Sequence, residues 1–169
     1  MVKFRITCVA IIAFFVTACA QEKKEFPQEA LNAKLVSVSG QKLTLQDVLN
    51  KHKGKTIVLD VWASWCSDCI KGLPLVKALQ QKTKDIAPEY VFLSVDRKED
   101  RWKAAIKDKN IVGDHYLVSS KSMKGALGKS IDLSWIPRYM VVGKNGKIKM
   151  YNAVKADDKR ILNAVIADK

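Results

Sequence analysis

The sequence contains few of the residues that mark the less common protein classes. Its 169 residues include only 4 prolines, 8 glycines and 4 cysteines, while 48% of the residues are hydrophobic. The scarcity of proline and glycine excludes a collagen-like chain, and a hydrophobic content sufficient for a core excludes disordered and coiled-coil classes. The cysteines are too few for a disulfide scaffold of this length. We therefore expect one domain with additional segments at its ends.

Acidic residues and histidines are also scarce. The 30 lysines and arginines exceed the 17 aspartates and glutamates, which gives a formal net charge of +13. Such an excess often indicates nucleic-acid binding, but Lys3 and Arg5 before a short apolar run indicate a secreted protein, for which contact with anionic lipid or acidic partners is more plausible. Lysines scattered over solvated faces are the simpler alternative. His52, expected to be solvated at a helix end, and His115 have no metal-ligand partners at useful spacing. We therefore predict no nucleic-acid partner, no metal and no cofactor.

The sequence has no apolar run long enough to cross a membrane. The uncharged N-terminal stretch covers only residues 6–20, whereas a spanning helix needs roughly 20 apolar residues. Two cations precede the stretch and small residues end it, as in a secretory signal. Val16 to Cys19 resembles the bacterial lipoprotein signal; an ordinary signal peptide that happens to contain a cysteine is the alternative. We expect a signal peptide over residues 1–18, lipidation at Cys19 and a flexible tether over residues 19–30.

Residues 31–169 are predicted to form a single α/β domain. Apolar runs at residues 56–62 and 90–95 are typical of buried strands, and the apolar stripe between Ile70 and Leu79 predicts a helix. Strand, helix and strand in this order indicate a parallel pair. The other expected elements are an N-terminal strand or hairpin near residues 35–42, a helix capped by Thr44 and Asp47, a hairpin around Asn145-Gly146, and a final helix capped by Asp157.

Cys66 and Cys69 stand at the junction between the first buried strand and the following helix. A cysteine at a helix N-terminus faces unpaired N–H groups and the positive end of the helix dipole, and both favour the thiolate. The spacing lets the second sulfur return within bonding distance over one helical turn. We therefore predict that Cys66 is the nucleophile and Cys69 the buried resolving thiol of a redox-active disulfide.

Two other interpretations of this pair compete with redox chemistry. A zinc site needs a second pair of cysteine or histidine ligands, and the predicted mature domain has no such pair. A purely structural disulfide would close a loop of four residues, and so short a loop constrains the unfolded chain very little. Redox chemistry is the favoured interpretation.

Residues 58–69, with Pro74 five residues after the second cysteine, resemble the active-site segment of the thioredoxin superfamily. Ile136-Pro137, followed by a strand and a Lys-Asn-Gly-Lys hairpin, resembles the proline segment of the same superfamily. With the signal sequence, the N-terminal hairpin and a long insertion over residues 96–134, the chain is similar to the TlpA/ResA-type membrane-tethered thiol-disulfide oxidoreductases. This resemblance implies a thioredoxin-like fold, in which helices flank a central mixed β-sheet.

The resemblance also implies roles for individual residues. Asp60 occupies the position of a buried acid that helps to deprotonate the resolving thiol, and burial would raise its pKa toward neutrality. An aspartate exposed at a strand end is the alternative. Pro137 matches a cis-proline that faces the disulfide and leaves the preceding backbone free to pair with substrate. The residues expected to bind substrate are Trp65, Trp135, Ile136 and Arg138.

These features predict a lipid-anchored thiol-disulfide oxidoreductase of the bacterial cell envelope that faces the periplasm. Because the resemblance is to a reducing family, we expect a monomeric reductase of disulfide-bearing envelope proteins, supplied with electrons by a membrane thiol donor. A thiol peroxidase is a second hypothesis, although Ala63 stands three residues before Cys66 where that chemistry needs a threonine. A non-catalytic module that binds copper(I) through both thiolates is a third.

Overall fold

The computed structural model describes residues 23–120 and 122–169. The predicted signal peptide and Cys19 lie outside the described residues, so both stay predictions. The strands are β1 (Lys34–Ser37), β2 (Lys42–Thr44), β3 (Ile57–Trp62), β4 (Glu89–Ser94), β5 (Asp114–Val118), β6 (Arg138–Val142) and β7 (Ile148–Ala153). The helices are α1 (Gln28–Leu31), α2 (Leu45–Lys51), α3 (Ser67–Lys82), α4 (Glu99–Asp108), α5 (Ala126–Ser130) and α6 (Lys159–Ala167).

The described strands form one mixed sheet in the order β2-β1-β5-β4-β3-β6-β7. β4 runs parallel to both of its neighbours, β3 and β5, while the remaining pairs in the sheet are antiparallel. The predicted parallel pair around α3 and the N-terminal hairpin of β1 and β2 are therefore confirmed. Within the described ranges, no helix combines the length and apolar character needed to cross a bilayer.

The interior strand β3 is buried at every position. It lies between β4 and β6, and strands covered on both faces carry nearly continuous apolar runs, which explains its composition. The chain leaves β3 after Trp62 and enters α3 at Ser67. The two cysteines consequently lie at the carboxyl end of β3.

The structure confirms one predicted helix cap and moves another by one residue. At α2, the Thr44 hydroxyl accepts from the Asp47 backbone N–H at 3.2 Å, and the Asp47 carboxylate accepts from the Thr44 N–H at 2.8 Å. This reciprocal pair confirms the predicted capping box. At α6, the cap is Asp158, whose carboxylate accepts from the Arg160 N–H at 2.9 Å. The prediction of Asp157 was therefore wrong by one residue.

The predicted flexible tether over residues 19–30 is only partly described, and its described part packs against the domain. Phe26 and Ala30 are buried, and the Ile148 backbone N–H donates to the Lys24 carbonyl at 2.7 Å. Burial of the Phe26 ring removes apolar surface from water and so fixes this segment. The prediction of flexibility is wrong for this part of the chain, because it was drawn from the polar residues before Phe26.

Both histidines are buried, which corrects the prediction of a solvated His52. The His52 Nε2 atom lies 2.9 Å from a carboxylate oxygen of Asp114, and Lys51 pairs with the same carboxylate. The His115 ring stacks on Phe92 with the ring centroids 4.8 Å apart. His52 contacts the first residue of β5, and His115 lies within β5. Both histidines thus contact residues that are far from them in the sequence.

Candidate active site

Cys66 and Cys69 form a disulfide at the start of α3, with their Cα atoms 5.2 Å apart. Cys66 is the N-cap residue of the helix, and its sulfur accepts a hydrogen bond from the Cys69 backbone N–H at 3.1 Å. Cys69 lies in the first turn and is 3% exposed, against 7% for Cys66. The helix start therefore places the Cys66 sulfur at the positive end of the helix dipole.

The turn before Cys66 is held by Asp96, a residue that sequence reasoning missed. The Ser64 backbone N–H and hydroxyl donate to its two carboxylate oxygens at 2.8 and 2.6 Å, and the Ser94 hydroxyl donates at 2.7 Å. These donors satisfy a carboxylate that is otherwise buried. A signal was available, because Asp96 follows β4 and the carboxyl ends of parallel strands meet at one edge.

Pro137 follows Ile136 through a cis peptide bond immediately before β6. The Ile136 carbonyl oxygen lies 3.6 Å from the Cys66 sulfur, so the proline segment lies directly against the disulfide. Both residues of the segment are buried. The structure thus brings together the residues that the resemblance implies, while their roles stay predictions.

Asp60 is 5% exposed, which excludes the alternative of a solvated aspartate at a strand end. Burial raises its pKa to about 8, and the neighbouring Tyr139 hydroxyl opposes part of this rise. The Oδ1 atom of Asp60 has no hydrogen-bond partner. This carboxyl is therefore able to exchange a proton close to neutral pH.

Two exposed tryptophans flank the disulfide. Trp65 precedes Cys66 and Trp135 precedes Ile136, and each side chain is 58% exposed. Trp135 also lines a groove of about 410 Å³ together with Leu75 and Val154, which are exposed as well. Exposed apolar groups of this size are typical of interaction sites, and here the groove includes Pro137, next to the Ile136 carbonyl that faces the Cys66 sulfur.

Arg138, which was predicted to bind substrate, is buried in the structure. It is 5% exposed, and its guanidinium donates to the carbonyl oxygens of Ile131 and Asp132, each at 3.2 Å. The side chain is thus directed into the loop that leads to Trp135 and away from solvent. The resemblance implied a substrate-binding role for Arg138 because it follows the proline segment, but its burial and its bonds to backbone carbonyls instead make it a support of that loop.

Comparison with known proteins supports the arrangement. A profile of the thioredoxin-like family matches residues 54–148, more than half of the chain. The thiol-disulfide oxidoreductase ResA of Bacillus thuringiensis subsp. konkukian is 28% identical over 130 residues, which cover 76% of this chain and 69% of that protein. The thiol:disulfide interchange protein DsbE of Pasteurella multocida is 27% identical over 153 residues, covering 86% of this chain and 80% of that protein.

A solved structure of a thiol-disulfide oxidoreductase is also similar to this chain. The thioredoxin domain of a thiol-disulfide oxidoreductase from Bacteroides vulgatus has a TM-score of 0.65 and 25% identity, covering 79% of this chain and 90% of that one. The predicted thioredoxin-like fold and the similarity to the TlpA/ResA type are therefore confirmed. With its mixed sheet, its cysteine pair at the start of α3 and its family profile, the chain belongs to the thioredoxin-like family.

Proposed function

We propose that this thiol-disulfide oxidoreductase works as a disulfide reductase on proteins of the bacterial envelope. The oxidoreductase class is confirmed by the relatives and the cysteine pair; the direction of electron flow, the substrates and the location are the proposal. The observation that carries it is the position of Cys66, which caps α3 and lies 3.6 Å from the Ile136 carbonyl oxygen. A sulfur placed there meets both the helix dipole and a backbone to which substrate can bind.

The proposed reaction begins with the reduced protein. The Cys66 thiolate attacks one sulfur of a substrate disulfide; that S–S bond breaks as the Cys66–substrate bond forms, and the other substrate sulfur leaves as a thiolate with the electron pair. Cys69 then loses its proton and attacks the Cys66 sulfur, which releases the second substrate thiolate. Two electrons pass to the substrate, and a membrane thiol donor restores the dithiol by the reverse exchange.

Asp60 is the proposed proton acceptor for Cys69. The resolving thiol is almost fully buried, so water alone is a poor acceptor there. A carboxyl whose pKa is about 8 is partly ionised at neutral pH and is a stronger base than an ordinary aspartate. The environment of the acid thus suits the second step, in which a buried thiol must become a thiolate.

The reductase direction is tested by two measurements on the purified protein. Reduction of insulin disulfides by dithiothreitol should accelerate with the wild type and not with Cys66→Ser. Equilibration of the Cys66–Cys69 pair with glutathione or dithiothreitol buffers then gives its reduction potential. A potential near that of strongly reducing thioredoxins supports the proposal, whereas a potential as high as that of disulfide-forming oxidants reverses the direction.

Two rival functions give different results in the same preparations. A thiol peroxidase would consume hydrogen peroxide at a rate that depends on Cys66 and is fast without a protein disulfide substrate. A copper module would bind copper(I) tightly and fail to reduce insulin. Among the described residues, no group of three or more His, Cys, Asp or Glu side chains could hold a metal ion, so a copper site would rest on the two thiolates alone.

The envelope location rests on the N-terminal sequence. Val16-Thr17-Ala18-Cys19 follows a short apolar run, which supports export, acylation of Cys19 and a periplasm-facing domain held at a membrane. Mass spectrometry of the membrane fraction should find a mature chain that begins at a lipid-modified Cys19. An unmodified cysteine, or retention of residues 1–18, contradicts this part of the proposal. Size-exclusion chromatography of the detergent-free domain tests the expected monomer.

A further inference from the structure

A second groove lies at the end of the sheet opposite the disulfide. Ile57 begins β3 and Val142 ends β6, and these two paired residues line the groove, which has a volume of about 370 Å³. The cysteines lie beyond Trp62, the last residue of β3. A strand of 6 residues is about 17 Å long. The groove and the disulfide therefore face opposite ends of the domain.

The charges around this groove are mostly positive. The lysine and acidic side chains that line it are those of Lys53, Lys55, Lys144, Lys147 and Glu25. We call it the lysine groove after its four lysines, which are all exposed. Among the described residues, Lys147 alone of the four forms an ion pair, with Glu25 at 3.3 Å.

The groove beside the disulfide has a different charge balance. It is lined by two lysines, Lys71 and Lys155, and by two aspartates, Asp68 and Asp157, so its charges cancel. The lysine groove carries four cations against one carboxylate. An anionic surface is therefore attracted to the end of the domain that lies away from the cysteines.

A neighbouring carboxylate does not neutralise the lysine groove. Asp168 accepts hydrogen bonds from the Thr56 hydroxyl at 2.7 Å and from the Lys144 backbone N–H at 2.8 Å, and it lies 3.2 Å from the Lys149 ammonium. Its side chain is 9% exposed. These contacts fix the backbone of the hairpin between β6 and β7, while the Lys144 side chain remains exposed to an anion outside the protein.

The N-terminal segment joins the domain at the lysine groove. Glu25 and Phe26 line it, and the Lys24 carbonyl accepts from the Ile148 backbone N–H at 2.7 Å. Lys24 follows Cys19 by five residues, and a chain of that length spans at most about 18 Å. A domain of this size has a radius of gyration of about 15 Å. An acyl group on Cys19 would therefore hold this end of the domain close to the bilayer.

We propose that the lysine groove docks onto the anionic head groups of the membrane that carries the lipid anchor. The inference rests on the proposed envelope location and on acylation of Cys19. Each lysine held near a negatively charged bilayer increases binding about fivefold. Docking at this end directs the opposite end, which carries Cys66 and Trp65, away from the bilayer and toward soluble proteins.

The test is lysine footprinting of the full-length acylated protein, purified from membranes and added to preformed vesicles. The vesicles contain phosphatidylcholine alone or phosphatidylcholine mixed with anionic phosphatidylglycerol. A water-soluble acetylating reagent modifies amines under single-hit conditions, and peptide mass spectrometry gives the rate at each lysine. On the anionic vesicles, acetylation should slow about fivefold or more at the four lysines of the groove. Salt at about 1 M should restore the rate, because it shortens the Debye length to about 3 Å.

Matched variants locate the effect. Lys98 and Lys124 follow the carboxyl ends of β4 and β5 and are exposed at the disulfide end, so they should react equally on both kinds of vesicle. Lys53→Gln combined with Lys144→Gln should abolish protection of the two remaining lysines of the groove. Lys98→Gln combined with Lys124→Gln removes the same charge from the other end and should preserve that protection.

Several results would overturn the inference. Equal protection on neutral vesicles would show that the anchor alone brings the groove to the bilayer. Protection by soluble glycerol phosphate on neutral vesicles would indicate a site for a free anion. Protection at the disulfide end, or at no lysine, would exclude docking through the groove. The intact mass of the same sample reports the acyl group: an unmodified Cys19 contradicts the proposed anchor, and a footprint that still follows anionic lipid would support the groove independently.

Discussion

The Cys66 sulfur lies 3.6 Å from the carbonyl oxygen of Ile136. This contact joins the start of α3 to the segment before β6, two parts of the chain separated by 70 residues. Cys69 lies three residues further along, in the first turn of the helix, and is less exposed than Cys66. An incoming disulfide therefore meets Cys66 first, beside the exposed ring of Trp65.

The two cysteines should consequently behave differently when each is replaced. Cys66→Ser should abolish disulfide exchange, because no thiolate remains at the helix N-terminus to attack. Cys69→Ser should still attack but should accumulate mixed disulfides that nothing resolves. Non-reducing gels of each variant after incubation with a disulfide-bearing protein display these complexes.

The order of alkylation is the matching control in the reduced wild type. Iodoacetamide labelling followed by peptide mapping across pH should modify Cys66 at lower pH than Cys69. If Cys69 labels first and Cys66→Ser traps partners, the roles of the two sulfurs must be exchanged.

Asp60 should make the protein less stable as pH rises. Burial raises its pKa from 3.8 to about 8 in the folded protein, so between these values the unfolded chain releases a proton that the folded state retains. The free energy of unfolding therefore falls between about pH 4 and about pH 8. Above that range the ionisation of Asp60 lowers it no further. Asp60→Asn should be more stable than the wild type by on the order of 4 kcal/mol at pH 7.

Urea denaturation of the oxidised proteins at pH 5 and pH 8 measures this difference. The advantage of Asp60→Asn should be small at pH 5 and larger at pH 8. Asp85→Asn, which removes an exposed carboxylate after α3, provides the control and should show no comparable pH dependence. An advantage of equal size at both pH values would show that the charge of Asp60 is not its cause.

The sequence predicted the parts of the site that are close together in the chain. Cys66, Cys69 and the strand before them follow from local spacing and apolar runs, and the burial of Asp60 follows from its place inside such a run. Contacts across strands were not predictable in this way, because pairing registers join residues far apart. The partner of Asp60 is Tyr139 across β3 and β6, and that pairing is invisible to periodicity.

The same limit explains the errors at polar residues. Arg138 and His52 carry groups that usually face solvent, so their sequence positions suggested a surface role. Each is buried by a specific partner: carbonyl oxygens before β6 for Arg138 and the Asp114 carboxylate for His52. Asp96 was missed for the complementary reason, since its donors come partly from Ser64 on another loop.

Asp96→Asn should loosen the turn that precedes Cys66. An amide offers one acceptor oxygen in place of two, so at least one hydrogen bond from Ser64 or Ser94 is lost in a buried site. We expect a loss of about 1–3 kcal/mol in the free energy of unfolding and a slower attack by Cys66. Urea denaturation and stopped-flow measurement of the first exchange step provide the two readouts.

A double-mutant cycle with Ser64→Ala shows whether the effect passes through this contact. Ser64→Ala removes the hydroxyl bond and keeps the backbone one, so its effect should be the smaller. Because the two residues share hydrogen bonds, the double variant should lose less than both single losses combined. Additive losses would mean that Asp96 stabilises the protein without holding the turn.

Arg138→Lys should distinguish support of the loop from contact with substrate. Lysine keeps the positive charge but lacks the planar pair of N–H donors that reaches the Ile131 and Asp132 carbonyls together. If Arg138 supports the loop, the variant should lose about 1–3 kcal/mol of stability. KM for insulin should rise because Trp135 is held less firmly, and the rate with a small aromatic disulfide should stay unchanged.

Lys155→Met provides the control. Lys155 is an exposed cation that lines the same groove as Trp135, and its replacement should not change the free energy of unfolding. Wild-type KM and stability in Arg138→Lys, with loss of binding only in Arg138→Met, would restore the charge of Arg138 as a direct substrate contact.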